Sequence, residues 1–217
     1  MTAERSFSDL PGDVLSKILK NAAENSVYDF LHLGQTCKGF CETARNEYIF
    51  ATASLHNYSC MPRRIEMEKF LKRACIAGNP QALYREGMAK CFCVVNRDVD
   101  RGIQLLWEAS ERGVIEATYA LGLQLICMEP RIWDGYRVLS TLDTICSKEG
   151  FDILMRCRHV TNRMIADIWI TSRLEPPKRY SCSCVDNPSW CSYCMWNYEA
   201  RSLAGVLERR NHVPLRM

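Results

Sequence analysis

Four cysteines near the carboxyl end of the chain are the residues whose spacing most directly suggests chemistry. Cys182 and Cys184 form a CxC pair, Cys191 and Cys194 form a CxxC pair, and Ser, Asn and Pro residues lie between them. Clustered thiolates are preferred ligands of structural zinc, and four of them leave no open position for catalysis. The sequence therefore predicts a structural zinc site, with His212 as a substitute ligand. Reduced thiols or a disulfide are the alternatives.

The other nine cysteines are scattered between Cys37 and Cys157, many of them at apolar helical positions. The first residues, MTAERSFSD, are polar and contain no apolar secretory segment. Without such a segment, these cysteines are expected to be reduced and buried as small hydrophobic residues. The sequence therefore predicts a cytoplasmic or nuclear protein.

No sequence pattern typical of catalysis occurs in the chain. The four histidines stand outside metal and nucleophile motifs, and there is no GxSxG sequence, phosphate-binding glycine loop or recognisable carboxylate pair. The formal net charge of +3 is too small to indicate nucleic-acid binding. No apolar run approaches the ~18 residues of a membrane-spanning helix. We therefore expect a non-catalytic protein that requires no cofactor and binds neither nucleic acid nor membrane.

The elements that must position these residues are helices, and the first of them form an amino-terminal module. Apolar residues recur at helical spacing over residues 10–22, and Asp13 lies where the helix dipole favours negative charge. Ser26 can cap a second helix, with Asp29 three residues later as in a capping box. A third apolar stripe covers residues 40–48. Three helices in about 46 residues bury too little surface to be stable alone, so the module is predicted to be half of an interface.

This amino-terminal sequence resembles the F-box. The resemblance is carried by LPGDVLSKIL, then Phe30, Leu33, the pair Cys37 and Lys38, and Phe40. The F-box is the module by which substrate receptors dock on the Skp-type adaptor of cullin-RING ubiquitin ligases, so the resemblance implies that adaptor and a cullin as partners. It implies an adaptor-binding set of Leu10, Pro11, Asp13, Val14, Leu15, Ile18, Leu19, Phe30, Leu33 and Phe40. An ordinary three-helix cap on a larger helical core is the alternative.

A second pattern repeats at a constant offset of 35 residues. The matching positions are Ala74 and Ala109, Gly78 and Gly113, Ala82 and Ala117, Tyr84 and Tyr119, and Gly87 and Gly122. Such a period is typical of stacked helical hairpins. The first glycine of each set is expected at a left-handed helix end, while the alanines allow helices to approach and the tyrosines fill the adjacent groove. A degraded third copy is predicted at offset 34, where Asp134 and Leu139 correspond to Asp100 and Leu105, with Gly150 closing it.

This spacing resembles tetratricopeptide-type repeats, and it is most similar to their Sel-type relatives, over residues 66–150. An F-box followed by such repeats resembles a group of small plant F-box proteins. In that group the repeats imply a protein-binding role. The alternative is that two or three hairpins only complete a core.

The sequence thus predicts an all-α protein with three regions. These are an F-box-like three-helix module at 1–60, tetratricopeptide-like hairpins at 61–175, and a Cys-rich extension at 176–217. Single helices are predicted at 151–174 and 199–210. By resemblance, the chain is the substrate-recruiting subunit of an SCF-type ubiquitin ligase, and its repeats hold an unidentified protein substrate for ubiquitin-dependent degradation. The competing hypothesis is a helical-repeat scaffold or zinc-dependent protein-interaction module without a ligase link.

Overall fold

The computed structural model describes residues 10–56, 58, 65–149, 152–168, 174–177, 184 and 191–211, with the side chains of 144–149 and 211 left out. Eleven helices occur in these ranges, and the predicted all-α class is confirmed. The helices are α1 Gly12–Asn25, α2 Val27–Thr36, α3 Lys38–Thr43, α4 Glu47–Thr52, α5 Ile65–Ile76, α6 Pro80–Phe92, α7 Val99–Glu111, α8 Ile115–Ile126, α9 Ile132–Glu149, α10 Asp152–Asp167 and α11 Ser192–Asn211. Within this described part of the chain, no helix combines the length and apolar character needed to cross a membrane.

The chain divides into two compact units, Met1–Leu83 and Tyr84–Met217. The division falls within α6. The domain boundaries predicted from the sequence, after residues 60 and 175, stay predictions.

Capping residues set the short helices of the first unit. A single residue, Ser26, separates α1 from α2, and its hydroxyl accepts a hydrogen bond from the Asp29 backbone N–H at 3.2 Å, as the sequence predicts. The third predicted stripe is divided between α3 and α4. The division follows from Asn46, whose side chain accepts from the Tyr48 backbone N–H at 3.0 Å and so begins a new helix.

Three phenylalanine rings organise the core of the first unit. Phe30 of α2, Phe50 of α4 and Phe70 of α5 have ring centroids 5.7, 5.5 and 5.1 Å apart, which is the range of favourable aromatic pairs. Asn79 is 2% exposed and donates to the carbonyl oxygens of Phe50 at 2.9 Å and Ala53 at 2.8 Å. These bonds satisfy carbonyls at the end of α4 that would otherwise lack partners. Helix α5 and the turn after it therefore complete the core that the amino-terminal helices begin.

Helix α8 is the central element of the second unit. Every residue from Ala117 to Ile126 is buried. Helices α7, α9, α10 and α11 all pack against it. A helix that is apolar on all sides is expected only where neighbours surround it, so α8 is the element to which the rest of this unit attaches.

The last two helices differ in extent from the sequence prediction. Helix α10 ends at Asp167, and Trp169 lies outside the described residues. Helix α11 begins at Ser192 rather than near residue 199. Trp196 is 1% exposed, so this earlier start adds a large buried side chain to the apolar face of α11.

Candidate functional site

The ten residues predicted to contact an adaptor fall into two groups. Leu15, Leu19, Phe30 and Phe40 are core residues, with exposures of 4, 0, 3 and 1%. Because their side chains pack inside the first unit, they can support a docking surface but cannot form it. The half-buried members are Leu10, Val14, Ile18 and Leu33, and the exposed ones are Pro11 and Asp13. Of the ten predicted residues, these six are the ones accessible to a partner.

Four accessible residues lie in the amino-terminal half of α1 or just before it. Val14 and Ile18 are four residues apart in α1, which places them one above the other on the helix, and Leu10 and Pro11 lie just before its first residue. Leu10 and Ile18 pack against the edge of the core while remaining partly exposed. We call Leu10, Pro11, Val14 and Ile18 the docking surface. A group of half-exposed apolar side chains is a surface that another protein's helices can bury.

Two glycines allow the helices beneath this surface to pack closely. A Cβ atom added at Gly39 of α3 would lie 3.0 Å from Cδ1 of Leu15 in α1. A Cβ atom added at Gly34 of α2 would lie 3.2 Å from Cβ of Ala44. Apolar periodicity alone does not show where two helices must approach this closely. They hold in place the helices that present the docking surface.

The predicted repeat is visible as the same helix ending at two places. Gly78 and Gly113 have φ angles of 77° and 87°, as expected for left-handed helix ends. At both places the residue after the glycine donates its backbone N–H to the carbonyl of the alanine four residues before the glycine, at 2.9 and 3.1 Å. This is the Schellman arrangement. The framework alanines are nearly or fully buried: Ala74, Ala82, Ala109 and Ala117.

Glycines also mark the crossing of the two helices in each hairpin. A Cβ atom added at Gly102 of α7 would lie 3.0 Å from the carbonyl oxygen of Gly87 in α6. A Cβ atom added at Gly135 of α9 would lie 2.7 Å from the carbonyl oxygen of Gly122 in α8. The sequence prediction included Gly87 and Gly122 but not their partners. The partners are 33 residues apart, so the third copy predicted at offset 34 is one residue out of register. Gly150, predicted to close it, lies outside the described residues.

The two framework tyrosines of the second unit have different polar partners. The Tyr84 hydroxyl lies 3.4 Å from the Thr161 hydroxyl, whereas the Tyr119 hydroxyl donates to a carboxylate oxygen of Glu199 at 2.6 Å. Nε of Arg158 donates to the same oxygen at 3.0 Å, and Glu199 is 1% exposed. Burial, followed by the Glu199 charge, raises the pKa of Tyr119 well above its usual value. Tyr119 therefore stays protonated, and the cluster joins α8, α10 and α11 without supplying a nucleophile.

Three of the four predicted zinc ligands are brought together. The sulfur atoms of Cys184, Cys191 and Cys194 all lie within 4.8 Å of one another, and all three residues are half-buried. The fourth predicted ligand, Cys182, and its substitute His212 lie outside the described residues. The described residues thus contain a compact group of thiols at the amino-terminal end of α11.

Comparison with known proteins agrees with the repeat seen in the structure. The family model described as plant tetratrico peptide repeats matches residues 55–166. This match overlaps the region in which the structure shows paired helices and repeated glycine positions. No solved structure matches the chain.

Two curated relatives come from Arabidopsis thaliana. A protein named as a putative F-box protein is 28% identical over 166 residues, which cover 75% of this chain and 55% of that protein. A second, named as an F-box protein, is 27% identical over 135 residues, which cover 62% of this chain and 81% of that protein. The match spans only about half the length of the first relative. Both names agree with the resemblance that the sequence shows near its amino terminus.

Proposed function

Because this chain belongs to the plant tetratrico peptide repeat family and its Arabidopsis relatives are named F-box proteins, we propose that it is the substrate-recruiting subunit of a cullin-RING (SCF-type) ubiquitin ligase. In this role the chain is non-catalytic. It binds an Skp-type adaptor through the docking surface and a target protein through the repeat region. The receptor raises the effective concentration of the target's lysines near the ubiquitin carried by its partners.

The docking surface is the observation that carries this proposal. Its apolar side chains stand at the positions where the sequence resembles the F-box, and they remain half-exposed although the first unit has a core of its own. Full burial of a Val, Leu or Ile side chain contributes roughly 1.5–3 kcal/mol. Completing the burial of three half-exposed side chains would therefore contribute about 3 kcal/mol to adaptor binding.

The second unit has features that suit a rigid target-binding element. The backbone contacts at Gly102 and Gly135 fix how each pair of helices crosses. On the outside of this unit Trp107 and Trp133 are 41% and 65% exposed. Tryptophan is enriched among the residues that dominate protein–protein interfaces. These features support a role in protein binding for this unit, and they favour no particular target.

The test is binding of the purified chain to a purified Skp-type adaptor. The variant Leu10→Asp with Val14→Asp removes apolar contacts at two positions of the docking surface and places two charges there. We expect its affinity to fall at least about tenfold, since 1.4 kcal/mol corresponds to a factor of ten. His32→Asp with Gln35→Asp places the same residues at two exposed positions of α2 and serves as the matched control. Circular dichroism checks that both variants keep the wild-type helical content.

Leu15 is unsuited to this test although it belongs to the predicted contact set. It is 4% exposed, so Leu15→Asp would place a charge in the core and unfold the unit rather than probe binding. Wild-type affinity of the folded Leu10→Asp, Val14→Asp variant would contradict the docking assignment. Absence of adaptor binding by the wild-type chain would instead favour the alternative, a helical-repeat scaffold without a ligase link.

A further inference from the structure

A group of three cysteines lies outside the surfaces assigned to adaptor and target. We propose that Cys184, Cys191 and Cys194 bind a zinc ion that fastens Cys184 to the first turn of α11. This site is independent of the ligase role, and neither the repeat family nor the names of the relatives assign it.

The distances between the sulfur atoms fit a shared metal ion. Sγ of Cys184 lies 3.1 Å from Sγ of Cys194 and 3.6 Å from Sγ of Cys191. In a tetrahedral site with zinc–sulfur bonds of about 2.3 Å, neighbouring sulfurs lie about 3.8 Å apart. Both of these distances are close to that value, and the third, between Cys191 and Cys194, is at most 4.8 Å, so the three sulfurs can occupy one face of such a tetrahedron after small shifts. The three thiolates supply three of the four ligands of such a site, and water can take the fourth position.

The local structure explains why two of these thiols converge. Cys191 immediately precedes α11 and Cys194 lies in its first turn, with the Met195 backbone N–H donating to the Cys191 carbonyl at 3.0 Å. Residues three apart at the start of a helix lie on the same side of it. The positive end of the helix dipole favours the negative charge that thiolates carry when they bind a metal. The third thiol, Cys184, comes from a position seven residues earlier and completes the group.

The helix that starts at this group carries residues on which the second unit depends. The Trp196 indole N–H donates to the Asp143 carboxylate at 3.0 Å, and its ring contacts the ring of Tyr119 at 6.5 Å between centroids. One turn later Glu199 joins the buried cluster with Tyr119 and Arg158. A metal at the start of α11 would hold Trp196 and Glu199 in place. Its removal is therefore expected to loosen α11 and expose Trp196.

The ligands must lose their protons, so binding is written as a proton exchange. Each of the three thiols releases one proton and forms one sulfur–zinc bond, and no oxidant or reductant is required. The alternative states of the same residues, reduced thiols and a disulfide, bind no metal in this way.

The first measurement is the metal content of the full-length chain purified under reducing conditions. We expect about one zinc per chain, and less than about a tenth of an equivalent in the Cys191→Ser, Cys194→Ser variant. The matched control is Cys41→Ser with Cys75→Ser, which removes two half-buried thiols elsewhere and should keep the full zinc content. Less than about half an equivalent in the wild type, or full zinc in the Cys191→Ser, Cys194→Ser variant, would overturn the proposal.

A second measurement decides the matter even if that variant fails to fold. Cobalt is titrated into metal-stripped wild-type protein, and the absorption bands of tetrahedral, thiolate-bound cobalt are expected to saturate at about one equivalent. Zinc should abolish these bands, and removing it with a chelator should lower the unfolding temperature until zinc is restored. A cobalt spectrum without thiolate bands would refute the site. So would a disulfide between two of these three cysteines, located by mass analysis of proteolytic peptides from the purified chain.

Discussion

Replacing Gly135 by alanine tests the geometry of the repeat directly. A Cβ atom at this position would lie 2.7 Å from both the carbonyl oxygen of Gly122 and the backbone nitrogen of Ile126. Both contacts are with backbone atoms of α8, so no side-chain rotation can relieve them. Overpacking of this kind costs about 3 kcal/mol at the upper end of the usual range. Alanine recovers about 1 kcal/mol through its better helix propensity, which leaves a net loss of about 2 kcal/mol.

Thermal unfolding followed by far-ultraviolet circular dichroism measures this loss. For a chain of this size, 2 kcal/mol corresponds to a fall of about 4–8 °C in Tm. Gly12→Ala is the control, because Gly12 is also helical but a Cβ atom added there meets nothing within 4 Å. Its Tm should stay unchanged or rise by up to about 4 °C, because only the gain in helix propensity applies there. A Tm for Gly135→Ala that does not fall would refute the inference that α8 and α9 cross in backbone contact.

Two further predictions concern the second unit. Glu199→Gln should destabilise the protein by about 2 kcal/mol in denaturant unfolding, because Arg158 and Tyr119 lose a buried charged partner. Glu116→Gln removes the more exposed ion pair with Arg156 and should lower the free energy of unfolding by only about 0.5 kcal/mol. Equal losses for the two variants would contradict the inference that burial strengthens the Glu199 contacts. Burial raises the pKa of the Cys127 thiol from 9.0 to about 12, so an unfolded chain releases this proton at lower pH than the folded one. The free energy of unfolding should therefore fall between pH 9 and 12, and it should fall less steeply in Cys127→Ala. An unchanged pH dependence in this variant would refute the raised pKa of Cys127.

The repeat shows which parts of the structure local sequence determines. Gly78 and Gly113 could be placed at left-handed helix ends because that conformation depends on the glycine itself and its immediate neighbours. Gly102 and Gly135 could not be paired, because the segment from Gly122 to Gly135 is two residues shorter than the segment from Gly87 to Gly102. Their role depends on a backbone contact between two helices, which leaves no periodic trace in either one.

The docking surface shows a different limit of sequence reasoning. Apolar periodicity correctly predicts α1, but the apolar stripe is wide enough to include both the core residue Leu15 and its half-exposed neighbour Val14. Packing against other helices decides which of these two side chains is buried. Gly39 of α3 lies against Leu15, and Phe70, more than fifty residues along the chain, completes the core behind it. A family resemblance identifies residues by type and position, so it does not distinguish core residues such as Leu15 from surface residues such as Val14.

The start of α11 could have been predicted from a pattern already present in the sequence. Two cysteines three residues apart suit either a metal-binding turn or the first turn of a helix, and the Ser- and Pro-rich segment before them favoured a loop. The apolar spacing of the helix, however, extends upstream from Leu207 and Leu203 through Ala200 to Trp196, all of them buried. Since Trp196 lies two residues after Cys194, the helix must begin close to the CxxC pair. The CxxC pair can therefore begin a helix and bind a metal at the same time. The helix start brings Cys191 and Cys194 together, and a bound metal would stabilise the first turn of α11.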